Sequence, residues 1–377
     1  MKVVFLGTGP TKLIPREGCK CPVCQSARKK NSKDRRTQSS VLIYADNFGL
    51  LLDCTEYIQE QLEHPQVHHI DAVLISHAHA DACFGLKELP KSVVYAPEPV
   101  IKKIKERLPN LDHEFIPLKK NVKIGPFIID YIKVAHSLQP GFDTYNYKIT
   151  WRGVKVVYAE DVAKIKKEQE DFYKDNDLLI IDAAIYGYPD KNKPVREESL
   201  MEMKLKEALT TANAQALLPE ELNDDEDSKI ESIKDDEFID LDTSAGHLVV
   251  NDKYFKWLAS LNNKNTALIQ IGHSWPPFDK SVELVRKKFK EFNGKGKIFL
   301  TYDGMVLQMG KSAIARILKS IGLNLPKWCL YLTPPHGKLI YEGDKKLIVK
   351  AMKLKKHLNE PLILISGDYA YGVIVLK

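Results

Sequence analysis

Short apolar runs rich in β-branched residues recur along the chain, at 3–6, 40–44, 50–52, 72–75, 93–95, 127–134, 147–150, 154–158, 178–182, 267–271 and 297–301. Each has the length of a single strand. Helical patterns fall between some of them, at 57–62, 98–108, around 205–214, at 250–261 and at 281–292. Strands and helices interleaved at this density predict an α/β protein, two sheets face to face with helices outside. No internal repeat at solenoid spacing is present.

The loops that follow these strands hold the chemistry. Residues 73–85 read Val-Leu-Ile-Ser-His-Ala-His-Ala-Asp-Ala-Cys-Phe-Gly, so His77, His79 and Asp81 come directly after a buried strand. On a helix, positions i and i+2 point in opposite directions, so two such imidazoles share one metal only where the backbone is extended or turning. Asp81 then faces the same cavity and can reach a second metal or a metal-bound water. A bare His-x-His is often a solvated loop pair. The strand before it, Asp81 and the Gly85-Leu86 that follow weigh against that here. Upstream, Cys19, Cys21 and Cys24 form C-x-C-x2-C, three thiols able to wrap one Zn²⁺ and leave a single position for a distant residue. Free thiols or a redox role remain the other reading of that cluster.

Ser76-His77-Ala78-His79-Ala80-Asp81 resembles the signature loop of the metallo-β-lactamase superfamily, T/S-H-x-H-x-D-H, with Ala82 in place of its last histidine. Further segments resemble the PhnP-like phosphodiesterase branch. These are the opening strand with Gly7-Thr8-Gly9, the cysteine cluster, Arg36 to Ile43, Leu51-Leu52-Asp53-Cys54 and Tyr302-Asp303-Gly304-Met305. The resemblance spans about residues 1–309 and implies the superfamily's αβ/βα sandwich, with metals held by loops along one edge of the sheets.

It also implies a ligand set. His77 and His79 are joined by His136, after the strand 128–134, and by Asp161, in the place of the carboxylate that bridges two metals. Asp81 and His273 complete a second site with Asp161. Ala82 removes one ligand from that second site and should weaken it. Zn²⁺, Mn²⁺ or Fe²⁺ suits such a set, with Zn or Mn as the expected cofactor and one or two ions bound. A structural zinc is expected on Cys19, Cys21 and Cys24. In the look-alikes its fourth ligand is a histidine three residues after the one matched by His273, where this chain has Pro276, so His273 could serve either metal. His247 matches a residue beside the substrate phosphate, suited by its near-neutral pKa to act as general acid together with Asp81 in catalysis. A helix-capping role for His247 stays open. Asp182 is expected to tether a ligand histidine.

Charge is unevenly laid out. Residues 219–242 carry 12 acids and 2 lysines, a net −10, within a chain of net +6. Such a block predicts a solvated acidic insertion in the first domain. Residues 311–377 hold 12 Lys and Arg against 4 Asp and Glu, a net +8. This second module reads as small and β-rich. It either resembles an incomplete PUA/ASCH-type barrel, a kind of module that meets RNA, or is an ordinary β extension.

The expected activity is metal-dependent hydrolysis of a phosphodiester by a metal-bound hydroxide, on a cyclic phosphate, nucleotide or RNA end. The rivals are a nucleic-acid-binding protein with a degenerate metal site and a lactone or thioester hydrolase. No apolar stretch approaches the 18 residues of a membrane helix. Six cysteines in a chain this long, with no signal-peptide pattern, suit a cytoplasmic protein without membrane contact. The sequence leaves the oligomeric state open.

Overall fold

The computed structural model describes residues 1–136, 142–187 and 237–309, together with the backbone of three strands at 328–332, 361–366 and 369–375. By internal contacts the chain divides into two units, Met1–Met309 and Gly310–Lys377.

The first unit opens with β1 (Lys2–Gly7), β2 (Ser40–Ala45), β3 (Phe48–Leu52), β4 (Ala72–Leu74), β5 (Val93–Ala96) and β6 (Glu114–Pro117). It continues through β7 (Val122–Ile124), β8 (Phe127–Val134), β9 (Thr144–Trp151), β10 (Val154–Ala159) and β11 (Leu178–Asp182). The short β12 (Ile185–Tyr186), β13 (Thr243–Ser244) and β14 (His247–Val250) precede β15 (Asn265–Ile269), β16 (Lys297–Leu300) and β17 (Val306–Gln308). Two seven-stranded sheets result, ordered β17-β1-β2-β3-β4-β5-β6 and β16-β15-β11-β10-β9-β8-β7. Each is antiparallel in one half and parallel in the other. β3 to β6 run parallel in the first sheet, and β10, β11, β15 and β16 in the second.

The central parallel strands β4, β11 and most of β15 are buried on both faces, which is why they read as unbroken apolar runs. In β11, Leu178 and Ile180 enter the cluster between the sheets, while Leu179 and Ile181 enter the one beneath the outer helices. β10 alternates in the same way, with Val156 and Tyr158 inward and Val157 and Ala159 outward. Tyr254, Phe255 and Leu258 of helix Asp252–Ser260, with Val285 and Phe289 of helix Phe278–Glu291, close the outer cluster.

Two departures from the sequence expectations concern the elements around residues 237–261. The helix expected at 250–261 begins two residues later, because Asn251 caps it by accepting a hydrogen bond from the Tyr254 amide at 3.2 Å, and His247–Val250 is instead a strand. Residues 237–242, counted with the acidic insertion, are not a solvated loop. Ile239 donates its amide to the Ile165 carbonyl at 2.9 Å, and Ile239 and Leu241 pack on the outer cluster. The rest of that insertion and the helical pattern near 205–214 lie outside the described residues.

In the second unit, Trp328–Leu332 pairs parallel with Pro361–Ser366, which pairs antiparallel with Tyr369–Val375. This three-stranded sheet does not by itself identify a PUA/ASCH-type module. No helix among the described residues is long and apolar enough to cross a membrane.

Gly85 fixes the turn after the His77–Asp81 loop against the end of β3. Its amide donates to the Cys54 carbonyl at 3.0 Å, and an added Cβ would lie 2.0 Å from the Thr55 carbonyl oxygen. Gly85→Ala is therefore expected to lower stability by about 1–3 kcal/mol through backbone displacement, read as a lower urea midpoint. An unchanged midpoint would mean that the turn has slack.

Candidate metal centre

β4 ends at Leu74, the chain bends at Ser76, Ala78 and His79, and His79 (ψ 162°) caps the short helix Ala80–Cys83. That turning backbone brings both imidazoles together, with ring centroids 4.8 Å apart. His136 arrives from the end of β8, its ring 5.7 Å from His77 and 5.4 Å from His79. Asp161 follows β10 with φ +52°, a left-handed turn that carries its carboxylate back over the strand end. One ligand atom from each of His77, His79, His136 and Asp161 lies within 4.8 Å of all the others.

Hydrogen bonds fix which ring nitrogens face inward. The Ser76 hydroxyl donates to Asp53 Oδ2 at 2.8 Å, so it accepts from His77 Nδ1, also at 2.8 Å. His136 Nδ1 lies 2.8 Å from the Gly246 carbonyl oxygen, which can only accept. In both rings Nδ1 carries a proton and Nε2 points into the cluster, the arrangement that outer hydrogen bonds impose on metal-ligating histidines.

His77 Nε2 is buried and makes no well-aligned hydrogen bond, although it lies 2.8 Å from Asp161 Oδ2. His136 Nε2 is 3.7 Å from the same oxygen. Ligands about 2.0–2.2 Å from one cation stand roughly 3–3.4 Å apart, between these two distances. The groups face a common point rather than each other. The residues fit a divalent cation.

The electrostatics agree. Burial, reinforced by His77 and His136, pushes the His79 imidazole down to about 2, and burial also lowers His136. Both rings are neutral at physiological pH. Burial alone would lower His77, but Asp161 outweighs it and raises the ring to about 9, so proton and cation compete for Nε2. Burial would likewise raise Asp161, yet His136 and His77 hold it well below the usual carboxylate range. Burial and Asp161 raise Asp81, which accepts the Thr11 hydroxyl at 2.5 Å and lies 3.9 Å from His77 Nε2.

The far side of Asp161 differs from expectation. His247 Nδ1 lies 2.7 Å from Asp182 Oδ2 and 3.7 Å from Asp161 Oδ1. Asp182 thus tethers His247 and not one of the first three histidines. Burial would lower His247, but Asp182 raises it to about 9. Gln270 stands on the same oxygen, its amide nitrogen donating to Asp161 Oδ1 and, at 2.9 Å, to Glu160 Oε1. Sequence spacing gave no sign of Gln270, Glu160 or Ser76, whose side chains act only through neighbours.

His273 is not at the His77 cluster. The turn after β15 carries it to the cysteines, with Nδ1 3.6 Å from Cys19 Sγ, 3.8 Å from Cys21 Sγ and 3.9 Å from Cys24 Sγ. Nitrogen and sulfur bound tetrahedrally to one zinc stand about 3.6 Å apart, so the four residues fit a structural zinc. The expectation that His273 completes a second active-site metal is thereby corrected. β15 ends at Ile269 and Gln270 adopts φ +61°, which turns Gln270 toward Asp161 and His273 away from it.

Residues 50–218 match the Beta-lactamase superfamily domain, a stretch that contains His77, His79, Asp81, His136, Asp161 and Asp182 but neither the cysteines nor His247. An octanoyltransferase of Porphyromonas gingivalis is 27% identical over 205 residues, 49% of this chain and 40% of that protein. The chain thus spans well under half of that curated relative. Among solved structures, a diphosphatase from the PhnP family superposes with a TM-score of 0.56 at 18% identity, covering 82% of this chain and 98% of that one. Zinc-bound PqqB from Methylobacterium extorquens superposes with a TM-score of 0.57 at 17% identity, covering 82% of this chain and 100% of its own. The chain has the α/β metallo-β-lactamase fold, which implies divalent metal binding.

Cys21→Ser is expected to remove one zinc per chain. It should also lower Tm by about 6–12 °C, from roughly 3 kcal/mol of binding linkage at about 2–4 °C per kcal/mol. Elemental analysis and calorimetry read both. Unchanged zinc and Tm would rule out the thiolate site.

Proposed function

We propose that this chain is a metal-dependent hydrolase of phosphodiesters, acting on a cyclic phosphate, a nucleotide or an RNA end. The observation that carries the reading is the two-sided environment of Asp161, with inward-facing imidazole nitrogens on one oxygen and a tethered imidazole on the other. His77, His79, His136 and Asp161 would hold the cation. A divalent ion there lowers the pKa of a water towards neutrality and offsets charge that grows on phosphoryl oxygens.

The remaining residues supply orientation and protons. Asp53, through Ser76, holds the His77 ring in one orientation, and the Gly246 carbonyl does the same for His136. His247 is tied to Asp182 through Nδ1, which leaves its other nitrogen to deliver a proton to the leaving oxygen. Asp81, steadied by Thr11, is placed to orient the attacking water. The mouth favours an anion. Phe142 stacks on His79 with centroids 4.7 Å apart, and the Lys103 ammonium and Arg107 guanidinium lie 5.0 Å and 5.2 Å from the Phe142 ring. A neutral lactone or thioester has no use for those cations. The fold shared with a diphosphatase supports the same choice, and the net +8 of residues 311–377 suits RNA.

His79→Ala and Asp161→Ala are each expected to reduce kcat/KM on bis(p-nitrophenyl) phosphate by at least about 10³-fold with circular dichroism unchanged. Wild-type turnover in either would mean that the centre lies elsewhere.

His247→Gln is expected to lower kcat by about 10²–10⁴-fold for alkoxide leaving groups and far less for p-nitrophenolate, which departs without a proton. Equal losses on both substrates would remove His247 from the proton-donor role.

A further inference from the structure

We propose that Gln270 stands in for a second cation, so that the active site holds a single divalent ion and Asp161 binds it through one oxygen alone. The inference rests on the reading of His77, His79, His136 and Asp161 as metal ligands.

The two oxygens of Asp161 lead different lives. Oδ2 faces His77 and His136. Oδ1 accepts a hydrogen bond from the Gln270 amide nitrogen. That nitrogen has two protons and uses both, the second on Glu160 Oε1 at 2.9 Å. A cation brought to Oδ1 would meet amide protons instead of lone pairs. The amide cannot usefully turn over, because its oxygen would then face the Asp161 carboxylate.

Gln270 is also held in place. It is 2% exposed and its backbone is left-handed at φ +61°. The next amide, of Ile271, donates to the Thr8 carbonyl at 2.9 Å, and His273 is fixed at the cysteine cluster.

Among the described residues, no other group offers a second ion a full set of donors. Residue 82 is a buried alanine. One oxygen of Asp81 is taken by Thr11. Asp161, Asp182 and His247 lie close enough to suggest a site, but both Asp182 oxygens and His247 Nδ1 are already in hydrogen bonds. Asp182 Oδ2 accepts from the Val162 amide at 3.1 Å and pairs with His247 Nδ1 at 2.7 Å, while Oδ1 accepts from the Ala184 amide at 2.9 Å. A neutral amide between two carboxylates thus does what a second cation would do, holding Asp161 in position without adding a metal.

The test is metal counting on the full chain, loaded with Zn²⁺ or Mn²⁺ and freed of excess. Wild type is expected to hold two ions, one lost in Cys21→Ser and the other in His79→Ala. Ala82→His combined with Gln270→His should gain a third. In Cys21→Ser loaded with Mn²⁺, electron paramagnetic resonance should show an isolated six-line signal, and the combined substitutions in that background should convert it to an exchange-coupled one. Should the double variant not fold, Gln270→Glu keeps the shape, removes the donors and is expected to raise the active-site count from one to two. Three ions in wild type with two lost in His79→Ala, a coupled manganese pair in the unaltered site, or a count fixed at one in Gln270→Glu would each overturn the inference. A metal content unmoved by His79→Ala would instead overturn the underlying reading of the site.

Discussion

A buried, ionised Asp161 sits where the ends of both sheets meet, and most of the surrounding polar structure exists to make that charge tolerable. An unpaired carboxylate in such a place would cost several kcal/mol. Here His77 and His136 face one oxygen, and Gln270 and His247 the other. The partners come from distant parts of the chain, yet topology gathers them simply. β3, β4, β10, β11 and β15 each have a parallel neighbour, and at or just past their carboxyl ends stand Asp53, His77, Asp161, Asp182 and Gln270. Parallel strands place these ends along one edge, where loops can converge on a ligand.

That edge explains what was legible in the sequence. A metal-capable residue directly after an apolar run is visible without any structure, as with His77 and His79. His136 and Asp161, implied by the resemblance to the metallo-β-lactamase superfamily, stand after such runs too, and the four meet in space. His273 follows an apolar run too, but the run at 267–271 hid the end of β15 at Ile269, two residues early. Periodicity cannot register that a chain has left its sheet while it stays apolar. A glutamine has no place in a search for ligands, so Gln270 could be seen only through its contacts. The spacing of three residues between the look-alikes' paired histidines, set against Gln270 and His273, was the available clue.

The errors elsewhere share a cause. Charge counting assigned residues 219–242 to solvent because twelve acids dominate the sum. Ile239 and Leu241 alternate with Asp240 and Asp242 at its end, a strand-like pattern that the count averages away, and both pack on the core. His247 does precede a helix, as expected, but helical spacing over 250–261 set that helix two residues too early. The cap at Asn251 marks the true start and leaves His247 on a strand beside Asp182.

Asp53, Asp161 and Gln270 all adopt left-handed backbone conformations, with φ between +52° and +61°. Conformations of this kind cost on the order of 1–3 kcal/mol each, Asp accepting them more readily than Gln. Against a folding free energy of about 5–15 kcal/mol, three of them claim a sizeable part of the margin. Glycine or asparagine at position 270 would relieve some of that strain and lose the grip on Asp161. Selection for robustness and selection for the site therefore pull this position in opposite directions. A screen for heat-tolerant variants should accumulate changes there, and each gain in melting temperature would come with a looser centre.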